Sequence, residues 1–106
     1  MERDLRRSPR VPFVAEARIT DVETETRLPA RTGDLSEHGC YLDMINPLPL
    51  GTAFRLQIEH GERIFQANAG VVFSQTPLGM GVVFNEVESD HRATLQSWLN
   101  EAVANS

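Results

Sequence analysis

Six short runs of this chain alternate apolar and polar residues with period two, and turn-forming residues separate them. A helix repeats its apolar face about every 3.6 residues, so the pattern excludes a helical bundle for most of the chain. Phe13, Ala15, Ala17 and Ile19 share one parity against Val14, Glu16, Arg18 and Thr20. After the acidic turn TDVETETR, Leu28, Ala30 and Thr32 resume the alternation up to Gly33, and Cys40, Leu42 and Met44 give a third run after Gly39. The breaker-rich segment NPLPLG reads as a loop. Phe54, Leu56 and Ile58 form the fourth run, with HGE as a tight reversal into the fifth and longest, where Phe65, Ala67, Ala69, Val71 and Phe73 share one parity. Gly70 interrupts the outer row of that run and marks a bulge or bend. Met80, Val82 and Phe84 follow the loop QTPLG. Six short, closely spaced strands of this kind make a small antiparallel barrel or sandwich.

Only the last segment changes period. Ser89 is placed to cap a helix with Asp90 in its first turn, and Leu95, Trp98, Leu99 and Ala102 then fall at i, i+3, i+4 and i+7. That stripe requires an apolar surface, and an open end or side of the barrel supplies one. Trp98 is read as a core anchor. With 106 residues the chain holds one domain, and 41% apolar residues suffice for a single core. The boundaries read as an arginine-rich arm over residues 1–12 and a barrel with its helix over residues 13–103. Met1 and a polar end at Ser106 read as a complete chain.

Charge narrows the function. The net charge is −5, yet Arg3, Arg6, Arg7 and Arg10 outnumber Glu2 and Asp4 in the first ten residues, so the remainder carries −7. A broad phosphate-binding surface for a nucleic-acid polymer is not expected from that balance. Neither a membrane span nor a secretory signal is present in the sequence, which reads as cytoplasmic. The single Cys40 forms no internal disulfide and reads as a small buried apolar residue. His38, His60 and His91 lack zinc spacing and read as surface residues. In DLSEH the residue types of a hydrolytic triad crowd into one turn, where they cannot converge as nucleophile, base and orienter, so no catalytic residue is assigned. The chain is read as a non-enzyme with no cofactor.

Two segments carry chemistry. LRRSPRVPF, residues 5 to 13, places Arg6 and Arg10 four apart with Arg7 between them, and DLSEHG, residues 34 to 39, places Asp34, Ser36 and Gly39 in DxSxxG. By itself the second segment reads as an Asx turn closed by a permissive glycine. Together, in this order and on a six-strand pattern, the segments resemble the PilZ family of bacterial cyclic di-GMP receptors, whose signature is RxxxR plus [D/N]xSxxG. RVPF after the arginines, the strand after Gly39, the late GMGVVF and the terminal helix extend the resemblance over roughly residues 3 to 100. It implies an all-β fold, a small six-stranded antiparallel β-barrel with a C-terminal α-helix.

The resemblance also implies a ligand and roles. Cyclic di-GMP is a dianion bearing two guanines, and an arginine fork matches phosphate oxygens or the guanine O6 and N7 edge. Arg6 and Arg10 would clamp it with Arg7 assisting. Asp34 would accept from guanine N1 and N2 or orient an arginine, Ser36 would bond a guanine or phosphate, and Gly39 would let backbone approach closely. Pro9 and Pro12 would restrict the arm and lower the entropic cost of closing it. The family often carries a stacking aromatic before the last strand. Phe73 stands there, but its parity with Ala69 and Val71 places it in the core, and it is left out of the site. The implied activity is relay of the second messenger to a downstream protein partner, as a monomer or a ligand-dependent dimer. The alternatives are a PilZ-like interaction adaptor that does not bind cyclic di-GMP, and a small barrel that binds single strands as an OB-fold does. The latter calls for exposed aromatics interleaved with basic residues, which this acidic barrel lacks.

Overall fold

The computed structural model describes residues 9–104. Its elements are β1 (Val11–Pro12), β2 (Glu16–Asp21), β3 (Arg27–Leu35), β4 (Gly39–Asp43), β5 (Ala53–His60), β6 (Arg63–Gln75), β7 (Gly79–Glu86) and α1 (Ser89–Ala104). Strands β2 to β7 run in the spatial order β3-β2-β5-β6-β7-β4, and β3 pairs with β4 to close an antiparallel barrel of six strands. The all-β barrel with one terminal helix is therefore the architecture that the family resemblance implied, and one of the two that the periodicity allowed.

One strand was not expected. Val11 and Pro12, in the segment read as arm, pair with Leu35 and Asp34 of β3. β1 and β2 thus follow one another along the same edge of β3, interrupted at Phe13–Ala15. Thr32 spans the interruption. Its Oγ1 accepts from the Ala15 N–H at 2.9 Å and donates to the Phe13 carbonyl at 2.6 Å, and the residue is fully buried.

The inward row follows the predicted parity through most strands. Ile19, Leu42, Phe54, Leu56, Ile58, Phe65 and Val82 are at most 1% exposed and form one cluster with Leu95 and Trp98 of the helix. Cys40 is fully buried among them, and burial drives its thiol far above its ordinary value, with the nearby Asp34 carboxylate adding to the rise. It is a neutral packing residue, as its spacing suggested.

Of three register shifts among the described strands, two break the expected parity. On β3 the register with β4 shifts between Thr32 and Asp34, so Thr32 and then Leu35 face the core while Asp34 turns outward. On β6 the register with β7 shifts between Val71 and Phe73, and Phe73 emerges 50% exposed. This corrects its expected core placement: an extra residue in one strand inverts the facing of every residue after it. The extra residue, Val72, lies two residues past Gly70, the position that marked a disturbance in the sequence.

Helix α1 closes the barrel end where β5 and β6 meet, burying Thr94, Leu95 and Trp98. The Trp98 ring stacks on Phe13 at 5.5 Å and meets the edge of His60 at 5.6 Å. Arg63 donates to Ser97 Oγ at 2.9 Å and to Thr94 Oγ1 at 3.1 Å, and His91 Nδ1 accepts from the Gln66 N–H at 3.2 Å. Ser89 is the first helical residue and not the cap, because the Arg92 N–H already bonds the Glu88 carbonyl. Among the described residues no helix is long and apolar enough to cross a membrane.

Candidate functional site

The site begins with backbone pairing. β1 lies against the end of β3 with Pro12 opposite Asp34, and this brings Arg10 within reach of the carboxylate that the Gly33 bulge has turned outward. Arg10 Nη1 donates to Asp34 Oδ1 at 3.1 Å, and the same oxygen accepts from the Tyr41 N–H at 2.9 Å. The arginine and aspartate side chains are 30% and 29% exposed, so solvent screens the pair and a competing anion can reach it. Residues 24 positions apart in the chain are thereby joined, as the two-segment reading required. Arg6 and Arg7 lie outside the described residues.

Ser36 and Gly39 build the corner beside that pair. The Ser36 hydroxyl donates to the Gly39 carbonyl at 3.0 Å and accepts from the Gly39 N–H at 3.2 Å, and Ser36 is 5% exposed. Its hydrogen-bonding capacity is used within its own turn, which is the local role the motif also allowed. Gly39 starts β4, where a Cβ would collide with the Val82 carbonyl of β7. The close approach this glycine permits is therefore that of a neighbouring strand. Asp34 itself stands in β3, one residue ahead of the turn.

From Asp34 a row of facing residues crosses the barrel exterior. Asp34 faces Tyr41 on β4, Tyr41 faces Gly81 on β7, and Gly81 faces Phe73 on β6. With strands about 4.8 Å apart, the row is roughly 14 Å long. The Tyr41 ring lies over Gly79, where an added Cβ would come within 2.9 Å of its hydroxyl. Gly81, between the tyrosine and the exposed Phe73 ring, is buried and carries no side chain, and a Cβ added there would lie 3.5 Å from the Phe73 Cβ. The row thus runs from an exchangeable ion pair, past a flat aromatic and a strip without side chains, to a second aromatic face. Such a surface can neutralise an anion at one end and stack planar rings along its length.

Sequence reasoning missed Tyr41, although its parity opposite Cys40 and Leu42 marks it as outward-facing. It misplaced Phe73 because periodicity carries no sign of a bulge beyond a nearby glycine. No group of His, Cys, Asp and Glu among the described residues is arranged to hold a metal ion.

Comparison with known proteins agrees with this fold. The chain is similar to the PilZ domain with c-di-GMP of YcgR from Escherichia coli, with 18% identity, a TM-score of 0.76, and coverage of 96% of this chain and 94% of that one. It is also similar to the inhibitor of motility MotI/DgrA of Bacillus subtilis, with 18% identity and a TM-score of 0.79. A third likeness is to YcgR in complex with c-di-GMP from Escherichia coli, with 19% identity and a TM-score of 0.79. The alignments take in 97% and 95% of this chain but only 53% and 47% of those two, so it spans about half their length. No curated protein sequence matches it significantly. At these identities the structures establish the fold, and the family rests on the sequence: the PilZ domain family model matches residues 4–101, nearly the whole chain, which therefore belongs to the PilZ domain family.

Proposed function

We propose that the protein is a cyclic di-GMP receptor that works by binding and not by catalysis. The observation that carries this reading is the Arg10–Asp34 pair at the head of an aromatic-flanked exterior row. Membership of the PilZ family and the likeness to a c-di-GMP-bound PilZ domain support it. Arg10, with Arg6 and Arg7 from the arm, takes the phosphates or guanine edges. Asp34 accepts from a guanine once its arginine partner turns to the ligand. Ser36 and Gly39 hold the corner in shape, and Phe73 offers the stacking face. The division into an arm over residues 1–12 and a barrel over residues 13–103 belongs to the same proposal. β1 pairs the last two residues of the arm with β3. The output is a changed surface at the arm, read in the cytoplasm by a protein partner, with the receptor a monomer or a ligand-dependent dimer.

Isothermal titration calorimetry on the whole chain tests the reading. Micromolar or tighter binding is expected, with Arg10→Ala weakening it by about tenfold or more, the loss of one charge-assisted contact. Its melting temperature should barely move, because an exposed pair contributes only about 0–1 kcal/mol to stability. No heat at high ligand concentration would overturn the proposal in favour of an adaptor that does not bind the nucleotide.

A further inference from the structure

A second charged feature lies elsewhere on the barrel. Three of the six arginines beyond the arm, Arg18, Arg27 and Arg55, line one groove of about 690 Å³. None of Arg10, Asp34, Ser36, Gly39, Tyr41 or Phe73 borders it. It overlies β2, β5 and the start of β6 and reaches the first residue of β3 and the last of β7, whereas the ligand row crosses β4, the far parts of β3 and β7, and the end of β6.

The strand register explains how it forms. Arg27 on β3 faces Thr20 on β2, Thr20 faces Arg55 on β5, Arg55 faces Asn68 on β6, and Asn68 faces Glu86 on β7. The exterior row is thus cationic at one end and acidic at the other. One step along β2, Arg18 faces Gln57, which in turn faces Gln66. Arg27 and Arg55 are two strand spacings apart, about 10 Å. The segment Glu86–His91 leading into α1 forms the far wall and adds Glu88 to the acidic side.

These arginines are not consumed by the fold. Among the described residues no ion pair or hydrogen bond engages the side chain of Arg18 or Arg27, and Arg55 has one long contact, 3.4 Å, to Glu25, with both side chains mostly exposed. The groove therefore attracts an anionic partner on a barrel that is acidic overall.

We infer that this groove docks an extended segment of a partner protein that carries two or more carboxylates along one edge. Three observations select that occupant. The cations stem from three different strands and so can meet carboxylates carried on separate residues. The neighbouring Gln57 and Gln66 already form an amide chain, with Gln66 Nε2 donating to Gln57 Oε1 at 3.1 Å, and amides offer both the donors and the acceptors that a peptide backbone requires. The acidic wall at Glu86 and Glu88 repels a polyanion that fills the groove, such as a nucleic acid, but tolerates a segment with charge on one edge only. The groove is independent of the nucleotide reading.

The test is an amide-resolved NMR titration of the whole chain with a synthetic decapeptide alternating Glu and Thr. Shifts are expected at Arg18, Thr20, Arg55, Gln57 and Gln66. Arg18→Gln with Arg55→Gln should weaken binding by about tenfold, the loss of two partly screened charge-assisted contacts. Glu88→Gln should strengthen it, and Arg10→Ala should leave it unchanged. The inference is overturned if the Gln-Thr version of the peptide binds equally well or the decapeptide leaves these signals in place. It is also overturned if a deoxythymidine decamer or phosphatidylglycerol vesicles move the same signals as strongly. Because Arg10→Ala separates the two surfaces, failure here leaves the nucleotide reading standing, and the reverse holds.

Discussion

Arg10 and Asp34 meet at 3.1 Å in partial contact with solvent, and that exposure decides what the contact can do. A fully buried pair would be costly to break, because each charge would be left unpaired in a medium of low polarity. A screened pair can exchange one partner for a phosphate at small cost. Phe73 is the complementary case. A phenylalanine half exposed on a strand face adds little to the fold and a large flat surface to a ligand site. Phe73→Ala should therefore weaken cyclic di-GMP binding by roughly 1–3 kcal/mol, the range for one base stacked on one ring. The urea midpoint should stay close to that of the parent. Equal affinity in the two proteins would remove Phe73 from the site.

At the scale of elements, two bulges do most of the positioning. Without the shift between Thr32 and Asp34, the aspartate would point into the core, where an unpaired carboxylate is strongly disfavoured. The bulge lets Leu35 take the core position and frees Asp34 for Arg10. Thr32 secures the same region from the other side by joining the ends of β1 and β2. Thr32→Val keeps the volume but leaves the Ala15 N–H without its acceptor, at a cost of about 1–3 kcal/mol in chemical denaturation. It should also lower ligand affinity, since β1 carries Arg10. A variant as stable as the parent would show that the hydroxyl is not what holds β1 in place.

For the whole molecule, the distribution of charge matters more than its sum. The arm is cationic, the barrel is acidic, and one face of the barrel concentrates half of its arginines. A dianion approaching this protein is attracted at those two places. Raising the salt from 50 to 500 mM shortens the screening distance from about 14 Å to about 4 Å, so cyclic di-GMP affinity should fall several-fold. Titrations across that range measure the effect. Salt-independent affinity would mean that the arginines contribute geometry without charge.

Much of this was legible in the chain itself. Period-two runs from Phe13 to Phe84 specified six strands and their inward faces, and the stripe through Leu95 and Trp98 specified the helix, because alternation and burial are local consequences of side-chain polarity. The spacing of Arg6, Arg10, Asp34, Ser36 and Gly39 pointed to the family that the match over residues 4–101 establishes. Only the folded molecule turned Phe73 outward, joined Asp34 to Tyr41, extended the pairing to Val11 and Pro12, and gathered Arg18, Arg27 and Arg55 on one face. Those outcomes depend on register and bulges, which are set by contacts between strands far apart in the chain and so leave no periodic trace in any one of them.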